Sequence, residues 1–135
     1  YNVYLTKTMK KQAEQVSEFH NSFKIPMPGK LSIPTHDNFA MRQRILQEEI
    51  DELKEAGEVE DIVAVADAIV DCMYILIGTA EAFGFSELLE DLFSEVHRSN
   101  MSKLDDNGQP IYREDGKVLK GANYSEPKLA KILFR

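Results

Sequence analysis

The chain has 135 residues, 43% hydrophobic and 29% charged, which suits a single domain around one core. Its formal net charge of −7 argues against a general binder of nucleic acid polymers or of anionic membranes. It leaves room for an anionic small molecule held through a metal and a few local cations.

The first helix is expected from about Thr8 to Phe23, because Ala13, Val16, Phe19 and Phe23 recur at helical spacing. His20 lies beside that stripe and reads as a packed or capping histidine rather than a ligand. Pro26, Pro28, Gly29 and Pro34 then mark an extended connector. A second helix is expected from Asp37 or Asn38, either a suitable N-cap, to about Gly57. A third runs from about Asp61 to Phe83 and stops at Gly84. A fourth starts at Ser86 and continues to about Ser99, with Leu88, Leu89, Leu92, Phe93 and Val96 on one face. Beyond it, Asn107-Gly108 and Asp115-Gly116 are turn signals, and Ile111-Tyr112 with Val118-Leu119 predict a small β-hairpin. Asp105, Asp106 and Asn107 imitate the start of a calcium loop, but the following glycine and Pro110 fall at the wrong positions. A short helix, Glu126 to Leu133, closes the chain. The expected fold is all-α, one domain over 1–135, a bundle of about four main helices with a small C-terminal hairpin and a short terminal helix.

The third helix carries the chemistry. From Ile62 to Ile77 every residue is apolar or weakly polar except Asp67 and Asp71, four apart and so on one helical face. A helix apolar on all sides is normally buried, and two buried carboxylates without partners repel each other and lose their water. A divalent cation compensates them most simply; an arginine or a buried backbone cap would be the structural alternative. Asp67 and Asp71 also argue against a membrane span, since charges near its middle are costly. Cys72, the one cysteine, cannot form an intrachain disulfide, and a buried thiol in a cytoplasmic protein is expected. No secretory pattern is visible near the start, where Tyr1 opens the sequence.

On the second helix, 100° steps place Leu46, Ile50 and Leu53 at the centre of the apolar stripe. Glu49 falls inside that arc and Glu52 at its edge. Glu48 lies further out, and Asp51 and Glu55 point to solvent. A short link near Gly57–Glu60 makes the second and third helices antiparallel neighbours. Glu49, Glu52, Asp67 and Asp71 are therefore expected to converge. Four carboxylates and no nearby Glu-x-x-His pair suit Mg²⁺ or Mn²⁺ better than zinc, copper or a di-iron centre.

Glu48-Glu49-x-x-Glu52, followed by a helix with spaced acids ending Asp71-Cys72-Met73-Tyr74, resembles the all-α nucleoside triphosphate pyrophosphohydrolase superfamily, MazG-like and phosphoribosyl-ATP pyrophosphohydrolase-like proteins among them. The resemblance covers roughly Phe19 to Lys103. The family pattern continues Glu-x-x-Asp; here Ala68 stands three residues before Asp71, and Ala64 three before Asp67, so one ligand is shifted or missing.

The resemblance implies Mg²⁺-dependent hydrolysis of a nucleoside triphosphate or related nucleotide to monophosphate and pyrophosphate. It implies Glu49, Glu52, Asp67 and Asp71 as metal ligands, with Glu48 orienting water or binding a second ion and Mn²⁺ as a substitute. Arg98 and Lys103 would contact phosphate and Asn100 the base, sugar or phosphate. Near a helix C-terminus, basic residues also favour the helix dipole. Lys117, Lys120 and Tyr124 can cover such a site, although solvated lysines are the simpler reading. Arg42 and Arg44 either reach a phosphate across a subunit boundary or pair with surface acids. A homodimer or homotetramer is implied, consistent with a third helix more apolar than a small monomer needs. The competing function is a non-catalytic helical binding or regulatory protein with a degraded metal site.

Overall fold

The computed structural model describes residues 9–135; Thr8, the expected start of the first helix, lies outside the described residues. Among the described residues there are five α-helices: α1 Lys10–Ser22, α2 His36–Glu58, α3 Ile62–Phe83, α4 Leu89–Met101 and α5 Ala130–Leu133. The protein is all-α, with no strand among these residues. It forms two compact units, Tyr1–Glu87 and Leu88–Arg135.

In the first unit α2 packs along α3, and α1 packs on α3 as well. Buried Ala13, Val16 and His20 repeat at three and four residues, so α1 presents one stripe inward. The inward stripe of α2 runs through Arg42, Ile45, Glu49, Leu53 and Ala56. This corrects the expected centre at Leu46, Ile50 and Leu53. Leu46 and Leu53 are half-buried, but Ile50 is 43% exposed. A helix in a three-helix unit covers one arc only, and here that arc is rotated toward Glu49.

The joint between α2 and α3 is set by capping. Asp61 accepts from the Val63 and Ala64 N–H groups, both at 3.1 Å, so the first turn of α3 is satisfied. Glu60 just before it takes a positive φ of 57°, which reverses the chain in a few residues. At the other end Gly84 sits at φ 79°, the left-handed stop that the sequence predicts. The N-cap of α2 is Thr35, not Asp37 or Asn38; its hydroxyl accepts from Asn38 N–H at 3.2 Å. Thr35 follows Pro34 in extended backbone (ψ 156°), the conformation an N-cap needs, which leaves Asp37 in the first turn.

Expected burial of α3 on nearly every side does not hold within one chain. Ala68, Ile77, Gly78 and Ala80 are buried, whereas Ile62, Val63, Ile69, Val70, Met73 and Leu76 are exposed. Among the described residues α1 and α2 are the helices that pack on it, and that outer face stays exposed.

Ser86, in the first unit, does not cap α4. The chain makes a 3₁₀ turn over Ser86–Leu88, and the Ser86 hydroxyl donates instead to Glu81 Oε2 within the first unit's sequence. The C-terminal segment is fastened to α4 by Ser102, whose Oγ accepts from Ser125 N–H at 2.9 Å, and by Gly121 N–H to Lys103 O at 2.9 Å. The expected hairpin shrinks to one antiparallel bridge, Tyr112 with Val118. Pro110 supplies no N–H to extend the ladder, the Asp115 carboxylate takes the Lys117 N–H, and no third strand covers the pair. Asp105 is a turn former, accepting from Asn107 and Gln109 N–H groups at 2.9 and 2.8 Å. The terminal helix is shorter than expected, Ala130–Leu133, because Pro127 interrupts the segment after Glu126.

Candidate metal centre and the cavity beside it

Antiparallel α2 and α3 bring together three acids. One carboxylate oxygen from each of Glu49, Glu52 and Asp71 lies within 4.8 Å of the others. Glu49 and Asp71 are half-buried and Glu52 is exposed, so the cluster spans the edge of the core. Asp67, expected as a fourth member, is exposed and stands one turn earlier on α3, outside this group. Glu48 is also exposed.

Glu49 is the strained member. Its Oε2 is buried and has no hydrogen-bond partner among the described residues. Burial first, then the hydrogen bond and negative charge of Glu52, then Asp71, push its carboxyl from 4.5 up to about 7. The same surroundings raise the neighbouring Cys72 thiol, again chiefly by burial and then through Glu49 and Asp71. An orphaned carboxylate oxygen, two further hard oxygen donors and mutual repulsion fit a divalent cation, which would relieve all three.

A cavity of about 290 Å³ opens beside the cluster, at the small end for a ligand pocket. Glu49 and Asp71 line it together with His20 and Arg42. Its apolar walls are Phe19, Tyr74 and the isoleucines at 25, 45 and 75. Phe19 and Tyr74 meet edge to face, with centroids 5.5 Å apart.

Arg42 departs from the expected surface pairing. It is 5% exposed, and its Nε donates to Thr79 Oγ1 at 2.8 Å and its Nη2 to Ile75 O at 3.2 Å. Among the described residues it forms no ion pair. Burial lowers its pKa and that of His20, which is further lowered by Arg42 and partly restored by Glu81. His20 is 3% exposed, and its Nδ1 is buried without a hydrogen-bond partner among the described residues. Packed, as expected, it also faces a cavity, which its sequence setting did not signal. For Arg42 a signal existed: it stands seven residues before Glu49, two turns along the same face.

The expected phosphate-binding residues lie on and just after α4 in the second unit. Arg98 holds Glu95 with two hydrogen bonds of 2.8 Å and donates to Glu126 O at 3.1 Å. Asn100 is exposed and Lys103 half-buried.

Residues 16–100 match the family model described as phosphoribosyl-ATP pyrophosphohydrolase. No curated protein matches the chain. The matched segment includes α2, α3 and all three clustered acids. The chain belongs to the phosphoribosyl-ATP pyrophosphohydrolase family, and so to the hydrolases that act on nucleotide pyrophosphate bonds.

Proposed function

We propose that the protein is a Mg²⁺-dependent pyrophosphohydrolase that cleaves a nucleoside triphosphate, or a related nucleotide, to the monophosphate and pyrophosphate. The observation that carries this reading is the convergence of Glu49, Glu52 and Asp71 around a buried, unpartnered carboxylate oxygen in a family of this activity. Glu49, Glu52 and Asp71 would hold the ion, with Asp67 joining from the exposed side; Mn²⁺ would serve in its place. When bound, such a cation offsets negative charge on phosphate oxygens and acidifies water.

The chain's own groups then divide the work. Glu48, exposed and adjacent to Glu49, orients the attacking water and takes its proton. Glu49, Glu52 and Asp71 fix where the phosphates sit, because α2 and α3 hold them on a packed frame. Arg98 and Lys103, for phosphate, and Asn100, for sugar, base or phosphate, belong to the second unit and are proposed from the family resemblance alone. The water oxygen bonds to phosphorus, the α–β anhydride bridge breaks, and pyrophosphate leaves.

The family match runs through the junction at Glu87–Leu88, which supports reading residues 1–135 as one functional domain. The exposed apolar face of α3 supports a homodimer or homotetramer, since it is more apolar surface than a soluble monomer usually shows. By length and composition α3 could also cross a membrane. Asp71 on its inner face, clustered with acids of α2, supports a protein-covered helix instead. The single thiol, Cys72, is in keeping with the cytoplasm.

The test is ³¹P NMR of the products formed from a panel of ribo- and deoxyribonucleoside triphosphates with Mg²⁺. Monophosphate with pyrophosphate is expected. Diphosphate with orthophosphate would overturn the bond assignment, and no turnover of any nucleotide by the folded protein would favour a binding protein.

A further inference from the structure

We propose that Arg42 is a positioning residue: seated at Gly78 and bonded to Thr79 and Ile75, it fixes the register of α2 along α3 that brings Glu49 and Glu52 to Asp71. This rests on the reading above in one respect: the three acids are taken to hold a divalent cation.

Three observations carry it. First, Arg42 is almost wholly buried without an acid to pair with, in an interface where an apolar side chain would avoid the cost of desolvating a charge. Its directional bonds are what an apolar residue could not supply. Nε donates to Thr79 Oγ1 and Nη2 to Ile75 O, and the Thr79 hydroxyl donates to the same Ile75 O at 2.9 Å. Guanidinium, hydroxyl and carbonyl thus close one ring across the two helices. Second, the guanidinium lies against Gly78, the one glycine of α3, where a Cβ would collide with Nη2. A slip along α3 in either direction would set it against a side chain instead. Third, the remaining inward residues of α2, Ile45, Leu53 and Ala56, are aliphatic, and aliphatic contact is non-directional. Apart from the acids, the side-chain hydrogen bonds joining α2 to α3 among the described residues are both made by Arg42.

The spacing on the two antiparallel helices agrees. Arg42 precedes Glu49 by seven residues, about 10 Å of helix, while Ile75 and Thr79 follow Asp71 by four and eight, about 6 and 12 Å. With Arg42 seated between Ile75 and Thr79, Glu49 stands level with Asp71. A slip of one residue moves a helix by about 1.5 Å, which a Mg²⁺–oxygen bond of about 2.1 Å does not tolerate. A buried polar group that specifies register is a known use of such groups.

The test measures binding of Mn²⁺ alone to the full chain, from the EPR signal of the free ion, beside urea unfolding. Arg42→Met should bind Mn²⁺ about tenfold more weakly while remaining at least as stable, because methionine packs in that space with no charge to bury. Electrostatics alone gives the opposite sign: Arg42 lines the same cavity as Glu49 and Asp71, and removing a cation there would tighten Mn²⁺ binding. Thr79→Val, which keeps the charge and breaks the ring, should also weaken binding, and it decides the matter if Arg42→Met does not fold. Unchanged or tighter binding by the folded variant would overturn the proposal. A wild type that takes up no Mn²⁺ would overturn the metal centre instead, and a metal-free crystal structure of the folded variant then decides the register. Glu49, Glu52 and Asp71 drawn apart would uphold the pin; the same acids still within 4.8 Å of one another would overturn it.

Discussion

Arg42 of α2 lies directly against Gly78 of α3: a Cβ added at Gly78 would fall 2.5 Å from Arg42 Nη2 and 2.9 Å from His20 Nε2. Both side chains are buried, and Arg42 is tied to Thr79 and Ile75 on either side of that glycine. Gly78 therefore makes room for a buried guanidinium on a helix whose other faces carry side chains.

Replacing Gly78 with alanine should destabilise the protein. Alanine in a helix interior gains up to about 1 kcal/mol over glycine. Overpacking against two buried groups that cannot step aside typically costs about 1–3 kcal/mol, so the clash wins. Gly57→Ala is the control, because a Cβ there meets nothing within 4 Å. It should raise stability by up to about 1 kcal/mol. Urea unfolding of the two variants checks both signs.

Without metal, the protein should gain stability as pH falls from about 7 toward 4.5. Glu49 has its folded pKa raised to about 7 from 4.5, so in that window the folded state binds more protons than the unfolded state. Stability therefore declines as pH rises through the window and is lowest above it. Glu49→Gln should flatten this slope. Mg²⁺ should raise the melting temperature of the wild type at pH 8 and leave that of the variant nearly unchanged. Thermal melts across pH 5 to 8, with and without Mg²⁺, would show it; a wild-type slope of opposite sign would contradict the burial of Glu49.

The outer face of α3 should be covered in solution by another copy of the chain. Light scattering coupled to size exclusion is expected to give a dimer or tetramer. Ile69→Glu with Met73→Glu, both on that face, should shift the mass toward monomer without unfolding the first unit, since neither residue is buried within it. A wild-type monomer would remove the assembly from the account.

Glu95 fastens the C-terminal segment. Its carboxylate takes two bonds from Arg98 and the Lys128 N–H at 2.8 Å, and these hold its pKa down at about 2. For an acid with a lowered folded pKa, the contribution is complete above 4.5 and disappears as pH falls toward 2. Glu95→Gln should speed hydrogen exchange at the Lys128 amide at neutral pH. Unchanged exchange would mean that other contacts of the segment suffice.

Much of this architecture is legible in the chain. Asp61 and Gly84 bound α3 because a capping carboxylate and a left-handed glycine are local chemistry, needing nothing distant. Helical spacing also brings Glu49, Glu52 and Asp71 to a common edge. What escaped depends on neighbours. Ile50 and Glu49 differ by only 100° on the wheel, and which one faces inward is decided by how α2 rolls on α3. Thr35 caps α2 because it lies in extended backbone where its hydroxyl reaches the Asn38 N–H, which leaves Asp37 in the first turn. From the sequence, Arg42 is expected at a phosphate across a subunit boundary or paired with surface acids, and His20 as a packed or capping residue. Both pack against Gly78, thirty-six positions from Arg42, where a side chain would crowd them.

The most direct measurement is pyrophosphate release from a triphosphate panel against Mg²⁺ concentration, for the wild type and for Asp71→Asn. The account predicts Mg²⁺-dependent release by the wild type. In the variant kcat/KM should fall by about a hundredfold or more, the loss of several kcal/mol of charge stabilisation. Metal-dependent release that survives in a folded Asp71→Asn protein would contradict the assignment of the Glu49, Glu52 and Asp71 cluster as the metal centre.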